Sequence, residues 1–309
     1  MFQRKPFHAF LAVTLTYFLI LVWIDSQNPF FERLPALGVH LVVIMLVSFV
    51  GYLVRYGRWH WLLHRAGYGH PIVRGGLIYL SGFAFTATPG KVGELVRARY
   101  LLKEGVPAQL TLAAFVFERV FDLLSVLLLA SLFIGDKGTF LVALLFVAVL
   151  LALVGALMLY PRWLSRAVGW LRVRGYRRTA SLLRKIREGF HLCRYWCVPL
   201  DVVVCFLAGL LAWGMTSLSL VYLLHVLGVG VPLNEAISIY PLAMLAGAAS
   251  MIPGGLGSTE AVIAASVMSH GYSIVMATLA AIGIRISTLW FSMVCGIVAM
   301  AWLEWRVTK

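Results

Sequence analysis

Charge is the scarcest property of this sequence, and negative charge is the scarcest of all. Only 12 % of the 309 residues are charged, with 12 Asp and Glu against 26 Lys and Arg. Apolar residues make up 61 % of the chain, and the mean hydropathy is +0.92. Because soluble domains carry about 25 % charged residues, this composition excludes a soluble domain of any size.

Cysteine is scarce as well, and the four thiols do not suggest a metal site. Cys193 and Cys197 flank a basic loop, but no second pair at such a spacing accompanies them, and Cys205 and Cys295 stand alone. We therefore expect unpaired, reduced thiols. Since the sequence also holds no nucleotide-binding or metal-binding motif, no cofactor is expected.

Long apolar runs occupy most of the chain. Runs of about 18 or more apolar residues recur, and a helix of about 20 such residues crosses the roughly 30 Å hydrocarbon core of a bilayer. The sequence therefore predicts an all-α, polytopic membrane protein built as a single membrane domain, residues 1–309. The first span is interpreted as a retained helix, because no small-residue cleavage site follows its long apolar run. About six full spans are expected, at residues 1–24, 35–56, 107–134, 139–160, 198–227 and 272–302.

The formal net charge of +14 reflects Lys and Arg that cluster between the apolar runs. This distribution orients membrane proteins with their basic loops in the cytoplasm, and it gives no support to a nucleic-acid partner. With six spans both termini are cytoplasmic. Of the 26 Lys and Arg, only Arg33 and Lys137 then lie outside, while Arg119 and Arg285 lie within the membrane.

The largest basic segment is residues 162–194, with ten Arg or Lys and one acidic residue, Glu188. Its aromatic and apolar residues recur near helical spacing. Basic helices with an apolar face lie in the membrane interface and favour anionic lipids. We expect an interfacial segment that binds anionic lipid, although an ordinary basic cytoplasmic loop has most of the same features.

Two glycine-rich stretches organise the rest of the chain. Residues 88–97 read TPGKVGELVR and follow a short apolar run, while residues 252–260 read IPGGLGSTE. In each stretch a glutamate is followed 25 residues later by an arginine inside an apolar segment, which pairs Glu94 with Arg119 and Glu260 with Arg285. The predicted turn residues are Pro89, Gly90 and Gly93 in the first stretch and Pro253, Gly254, Gly255 and Gly257 in the second.

We interpret the two stretches as the tips of re-entrant helical hairpins at residues 72–104 and 235–270, within halves at about 35–160 and 198–304. A spanning first arm would instead place four basic residues outside, against the positive-inside bias. The hairpins then enter from opposite sides as inverted repeats, a transporter design in which broken helices mark the binding site. A cavity is expected where the turns meet. The alternative is that two common Pro-Gly turns share a spacing by chance.

Charged side chains at this depth cost at least about 2.5–3.5 kcal/mol each on insertion scales, and such residues usually face a cavity and pair. Free backbone N–H groups after the Pro-Gly turns would add to their attraction for an anion. The alternative is that they form buried ion pairs that only join helices. The candidate substrate-binding residues are four cations and four acids. The cations are expected to contact phosphate, and they are Lys91, Arg97, Arg119 and Arg285. The acids are expected to orient these cations, to bind a cationic headgroup or to carry a coupling proton, and they are Glu94, Glu118, Asp122 and Glu260.

Three motifs resemble those of a known family: TPGKVGELVR at 88–97, ERVFD at 118–122 and PGGLGSTE at 253–260. In this order they are similar to signatures of the lysylphosphatidylglycerol synthase transmembrane-domain family, which includes the flippase domain of the multiple peptide resistance factor and stand-alone flippase-like proteins. The resemblance covers nearly the whole chain. It implies a lipid translocase of the bacterial inner membrane, acting on aminoacyl-phospholipids or polyprenyl-phosphate-linked sugars. The chain lacks the soluble aminoacyl-transferase domain of bifunctional members, so lipid synthesis is not expected of it.

Three functions are compatible with these residues. The first is a flippase-like transporter that moves an anionic, phosphate-bearing lipid through a central charged cavity. The second is an intramembrane transferase acting on a lipid-linked sugar, with Glu94 or Asp122 as the base. The third is a non-transporting partner of a separate synthase. The partners expected are a membrane lipid and, in addition, a second copy of the chain or a synthase.

Overall fold

The computed structural model describes Ser26 and residues 35–131, 137–159 and 162–307. Regular structure within these residues is helical throughout, with no strand. The predicted first helix at residues 1–24 lies outside the described residues. The α-helices are α1 (Gly38–Arg65), α2 (Ile72–Ser81), α3 (Arg97–Lys103), α4 (Ala108–Ala130), α5 (Lys137–Leu159), α6 (Arg162–Val173), α7 (Arg177–Leu192), α8 (Pro199–Val226), α9 (Leu233–Ala249), α10 (Ser258–Ser269), α11 (Ile274–Arg285) and α12 (Phe291–Val307).

Shorter helical pieces connect several of these elements. A five-residue π-helix joins α11 to α12, and the remaining pieces are 3-10 helices. The two segments that contain the Pro-Gly turns are among them. The pieces are Pro35–Leu37, Gly82–Phe85, Pro89–Val96, Cys193–Trp196, Pro253–Gly255 and the π-helix Ile286–Trp290.

Three described helical segments are long and apolar enough to cross a bilayer: Pro35–Arg65, Pro199–Val226 and Ile274–Trp305. Helix α4 has 23 residues, but charged side chains interrupt its apolar sequence near the middle. These features make the described part of the chain an all-helical membrane protein. The six spans, and the entry of the two hairpins from opposite sides of the membrane, stay predictions.

Both predicted hairpins form, in the sense that the two arms of each pack together. In the first, Gly82–Phe85 contacts Pro89–Val96 and α2 contacts α3; in the second, α9 contacts α10. A histidine–glutamate pair closes the wide end of each. His70 Nδ1 lies 2.8 Å from Glu104 in the first hairpin, and His270 Nε2 lies 3.0 Å from Glu235 in the second.

Three long helices, α1, α4 and α8, run through two apolar cores. One core surrounds the second hairpin and includes Ile44, Trp213 and Leu220. The other surrounds the first hairpin and includes Trp59 and Trp196. Polar side chains of α1 and α8 lie between the two cores. Apolar packing on both sides of them holds these side chains at a fixed place within the molecule.

The basic segment at 162–194 folds into α6 and α7, which pack against each other, and α7 also packs on α4. Trp170 and Leu182 remain more than half exposed there, as an interfacial role requires. Cys193 is a free thiol packed against the carbonyl of Ala113, and burial raises the pKa of this thiol to about 12. Binding of anionic lipid to this segment stays a prediction.

A close approach between backbones joins α12 to the first hairpin. A Cβ atom added at Gly296 would lie 2.1 Å from the Ala84 nitrogen and 2.6 Å from the Phe83 carbonyl carbon. Such contacts are impossible, so glycine is required at this position for α12 to lie against the hairpin. Small residues serve the same purpose at many helix contacts within membranes.

We expect Gly296→Ala to lower the melting temperature of the purified protein strongly, because α12 and the hairpin must separate to admit the methyl group. Overpacking of this kind costs about 1–3 kcal/mol or more. The matched control is Gly214→Ala in α8, where an added Cβ meets nothing within 4 Å and removes a helix-destabilising glycine worth about 0.5–1 kcal/mol. Thermal unfolding in detergent measures both, and equal melting temperatures would contradict the contact.

Candidate functional site

The two Pro-Gly turns meet in the middle of the structure. The Pro89–Val96 segment contacts Pro253–Gly255, and a Cβ added at Gly254 would lie 3.2 Å from Ala87 Cβ. The expectation that the turns come together is therefore confirmed. Both turns also share one backbone form, in which a proline is followed by two residues with positive φ.

Of the four residues with positive φ in this shared form, Lys91 is the one that is not glycine. The second turn places Gly254 and Gly255 at φ 65° and 64°, whereas the first places Gly90 at 60° and Lys91 at 56°. A lysine thus occupies a left-handed conformation that glycine adopts without strain and other residues rarely adopt. Strain of this kind persists only where the surroundings impose it, and it gathers at functional sites.

Behind the first turn lies a buried cluster in which three guanidinium groups face three carboxylates. Its members come from α1, from the first hairpin and from α4, so the cluster ties three parts of the chain together. Equal numbers of positive and negative charges leave it neutral as a whole. We refer to it as the ion network, and its members are Arg58, Glu94, Arg97, Glu118, Arg119 and Asp122.

Glu94 connects the hairpin tip to this network. Arg97 Nη2 lies 3.4 Å from the Glu94 carboxylate and 3.5 Å from that of Glu118, while Arg119 Nη2 lies 3.9 Å from Glu94. Thr86 donates a hydrogen bond to Glu94 at 3.0 Å. Three groups therefore fix this carboxylate, which explains how it remains buried so close to an irregular turn.

Asp122 connects α1 to α4 in the same network. Its two carboxylate oxygens each lie 2.9 Å from a guanidinium nitrogen, one of Arg58 and one of Arg119, and Arg58 also lies 3.5 Å from Glu118. The Arg119 side chain is 19 % exposed, whereas the other five are at most 6 % exposed. The network is therefore almost entirely buried, and each of its charges depends on a partner.

The second turn has its own arginine–glutamate pair. Arg285 Nε donates to Glu260 at 2.8 Å, its Nη2 donates to the Gly254 carbonyl, and the Gly257 N–H donates to Glu260 at 2.8 Å. Both glutamate–arginine pairs that the 25-residue spacing predicts are thus in contact. The 25-residue spacing thus corresponds to a side-chain contact in each half. The inverted relation between the halves stays a prediction.

A cavity of about 140 Å³ lies between the two turns. Gly90 and Lys91 line it from the first turn, Gly254 and Gly255 line it from the second, and Arg285 lines it as well. Helix α1 contributes Ser48, Tyr52 and Arg55, and α8 contributes Trp213 and Thr216. Among the described residues that line the cavity there is no Asp or Glu.

Trp213 holds two cations at this cavity. The Arg55 guanidinium carbon lies 4.4 Å from the centre of the indole ring and Lys91 Nζ lies 5.6 Å from it. Neither cation forms an ion pair with a carboxylate of the described residues. Cation–π contacts contribute about 0.5–2 kcal/mol, but an aromatic face carries no net charge. The ring therefore leaves the charge of both cations uncancelled toward the cavity.

The predicted site residues divide into two sets. Lys91, Gly90, Gly254, Gly255 and Arg285 line the cavity, whereas the other predicted charges form the ion network or, for Glu260, support Arg285. Gly93 and Gly257 shape the turns, since an added Cβ at Gly93 would lie 2.6 Å from Phe85 and Gly257 has φ 85°. Pro89 and Pro253 begin the two 3-10 segments.

Sequence reasoning did not identify Arg55, Arg58 or Trp213. The two arginines belong to a basic, aromatic stretch typical of the headgroup zone, but α1 continues through it and carries both into the interior. The helical spacing of Ser48, Tyr52 and Arg55 was a usable signal, because it marks a polar stripe along one face. Nothing in the sequence distinguishes Trp213 from the other tryptophans.

We expect Arg58→Met to destabilise the protein by about 3–5 kcal/mol, because it leaves buried carboxylates without a partner. Adding Asp122→Asn restores equal numbers of charges, so the double variant is expected to recover part of the loss. Arg184→Met serves as the control, since Arg184 is 46 % exposed in its pair with Glu188 and such pairs contribute about 1 kcal/mol or less. Unfolding in detergent measures these variants and Asp122→Asn alone, and additive losses in the double variant would contradict the coupling.

A comparison with protein families places this architecture among known membrane proteins. A search among curated proteins finds no match. The family described as "Lysylphosphatidylglycerol synthase TM region" matches residues 9–296, which is nearly the whole chain and includes both turns, the ion network and the cavity. This match confirms the family that the three motifs resemble, and it extends over nearly the whole chain. The chain belongs to the lysylphosphatidylglycerol synthase transmembrane-region family.

Proposed function

We propose that this protein is a flippase-like transporter that moves an anionic, phosphate-bearing membrane lipid through the cavity between its two turns. The observation that carries the proposal is the charge of that cavity: Arg55, Lys91 and Arg285 line it, and no acidic residue does among the described residues. Family membership supports a membrane lipid as the general class of substrate. The cytoplasmic membrane, with both termini inside, is the location that fits the distribution of basic residues.

The cations of the cavity differ in how they are held, and two of them remain available to bind an anion. Arg285 is bound by Glu260 and by the Gly254 carbonyl, so much of its hydrogen-bonding capacity is taken. Arg55 and Lys91 rest on Trp213 and retain donors for a ligand. A phosphate group at this point would receive charge-assisted hydrogen bonds, which are about twice as strong as neutral ones.

The mouth of the cavity favours a lipid over a soluble anion. Met251 and Ile252 line the cavity, and 65 % and 38 % of their surfaces are exposed. These side chains lie directly before the second turn and present apolar surface beside a cationic interior. A headgroup would enter the polar space while its acyl chains stay against apolar side chains.

The ion network serves this proposal as a scaffold rather than as the binding surface. Its arginines are compensated by Glu94, Glu118 and Asp122, so they hold α1, α4 and the first hairpin in place. Arg119 has the most exposed side chain of the network, so among its members it is the one best able to contact a ligand. The acids would orient these arginines and, on protonation, would loosen the hairpin, which is a route for coupling transport to a proton.

A second candidate function follows from the family description, which names the membrane region of a synthase. In that role the chain would hold or present a lipid to a separate synthase, as a non-transporting partner, alone or as a homo-oligomer. Co-purification with a synthase, combined with lipid binding and no lipid movement in vesicles, favours this function. An intramembrane transferase receives no support from the cavity, which lacks a carboxylate to act as the base among the residues described.

Lys91→Gly tests the transporter directly. We expect the rate at which fluorescent phosphatidylglycerol crosses proteoliposome membranes to fall at least about tenfold, because one charge-assisted contact contributes about 1.5–3 kcal/mol and about 1.4 kcal/mol corresponds to tenfold. The melting temperature is expected to stay unchanged or to rise, since glycine accepts φ 56° without strain and already occupies the equivalent place in the second turn.

Lys103→Ala is the control for this experiment, because Lys103 is an exposed lysine at the end of the same hairpin. It is expected to transport like the unaltered protein. Equal rates for the Lys91→Gly variant and the unaltered protein would contradict the role of the cavity. A loss of folded protein in the Lys91→Gly variant would assign Lys91 a structural role instead.

A further inference from the structure

We infer that the cavity selects lipid headgroups that carry phosphate and hydroxyl groups but no ammonium group, so that aminoacylated and ethanolamine-bearing phospholipids are not its substrates. This inference rests on the proposed function and narrows its substrate class. It is carried by the polar groups that line the cavity without a partner, which share one hydrogen-bonding character.

The first unpartnered groups are obligate donors. The Nε–H of Arg55 and the indole N–H of Trp213 are buried and have no acceptor among the described residues. Arg55 is 9 % exposed and Trp213 is 5 % exposed. Guanidinium and indole groups donate hydrogen bonds and cannot accept them. A ligand that satisfies both must therefore bring acceptors, as the oxygens of a phosphate do.

Two hydroxyl groups extend this pattern. Ser48 Oγ on α1 and Thr259 Oγ1 on α10 are also buried without a partner among the described residues, and both line the cavity. Their residues are 5 % and 1 % exposed. A hydroxyl can donate or accept, so these groups match either the phosphate or the hydroxyls of a polyol or sugar attached to it.

An ammonium group finds no place in this arrangement. It only donates hydrogen bonds, so it cannot satisfy the Arg55 and Trp213 donors, and it would lie beside the charges of Arg55 and Lys91. The nearest acids do not line the cavity, and each is already engaged: Glu94 by Arg97 and Arg119, and Glu260 by Arg285. Charge repulsion therefore acts against a headgroup that carries an ammonium group beside its phosphate.

The size of the cavity agrees with this chemistry. Its volume of about 140 Å³ is close to the roughly 150 Å³ of an engineered cavity that holds one benzene molecule. A phosphate with a small hydroxylated group is of that order, whereas an added aminoacyl group brings more bulk together with its positive charge. Polyprenyl phosphates and phosphatidylglycerol share the accepted chemistry, and they differ in their apolar chains.

The test compares lipids that differ only in the headgroup. Phosphatidylglycerol, lysylphosphatidylglycerol and phosphatidylethanolamine with the same acyl chains are added to the purified protein in detergent, and thermal stabilisation reports binding. The same three lipids, fluorescently labelled, are then followed across proteoliposome membranes. We expect phosphatidylglycerol to stabilise the protein at concentrations at least about tenfold lower than lysylphosphatidylglycerol and to cross faster than both ammonium-bearing lipids.

Each outcome has a distinct meaning. Equal or tighter binding of lysylphosphatidylglycerol overturns the selectivity. Selective binding of phosphatidylglycerol without movement of any lipid upholds the selectivity and overturns the transporter, in favour of a lipid-presenting partner. Inorganic phosphate is included as a soluble competitor, and stabilisation by phosphate alone as strong as that by phosphatidylglycerol overturns the lipid as ligand. Polyprenyl phosphate in the same assay distinguishes between the two sources of the accepted headgroup.

Trp213→Phe tests the donor argument, because phenylalanine keeps an aromatic face for the two cations and removes the indole N–H together with one ring of the side chain. We expect about fivefold weaker binding of phosphatidylglycerol, the size of one ordinary hydrogen bond, measured as the lipid-induced stabilisation relative to the variant's own ligand-free melting temperature. Trp170→Phe on α6, where the side chain is exposed, is the matched control. Unchanged binding in the Trp213→Phe variant would overturn the assignment of this donor to the ligand.

Discussion

The ion network is the constraint on which the rest of the structure depends. Three arginines and three acids are buried together, and removing any one of them would leave a charge in a dry interior, where an unpaired charge is very costly. The network can form only if α1, α4 and the first hairpin lie in one arrangement. That arrangement then fixes the first turn against the second, and the cavity is the space that remains between them.

Among the described residues, buried cations are held in two different ways, and the difference separates the ion network from the cavity lining. Arg58 and Arg97 are held by carboxylates, which cancel their charge. Arg55 and Lys91 are held by the face of Trp213, which stabilises the cations and leaves the charge uncancelled. An intramembrane site for an anion needs the second kind of support, because a carboxylate placed close enough to stabilise the cation would compete with the ligand.

Much of this architecture was predictable from sequence because it depends on local signals. The Pro-Gly turns mark both hairpin tips, and the repeated 25-residue interval indicated that Glu94 meets Arg119 and that Glu260 meets Arg285. The cavity lining was less predictable. Arg55 and Trp213 lie on α1 and α8 and are far apart in sequence, so their contact follows from how those two helices pack. Periodicity along one helix contains no information about which residue of another helix it will meet.

The backbone conformation of Lys91 has a consequence for the path of a bound ion. Two tips of the same shape, each ending in glycine, would offer an anion equivalent surroundings on either side. A lysine in place of one glycine gives the first turn a positive charge that the second turn lacks at the equivalent position. In the transport that we propose, a binding site whose charge lies off centre would change the heights of the two barriers beside it, and it would leave the free energies of the lipid in the two leaflets as they were. The asymmetry between Lys91 and Gly255 would then govern which transport step is slow, while net direction would have to come from a gradient or from the supply of lipid.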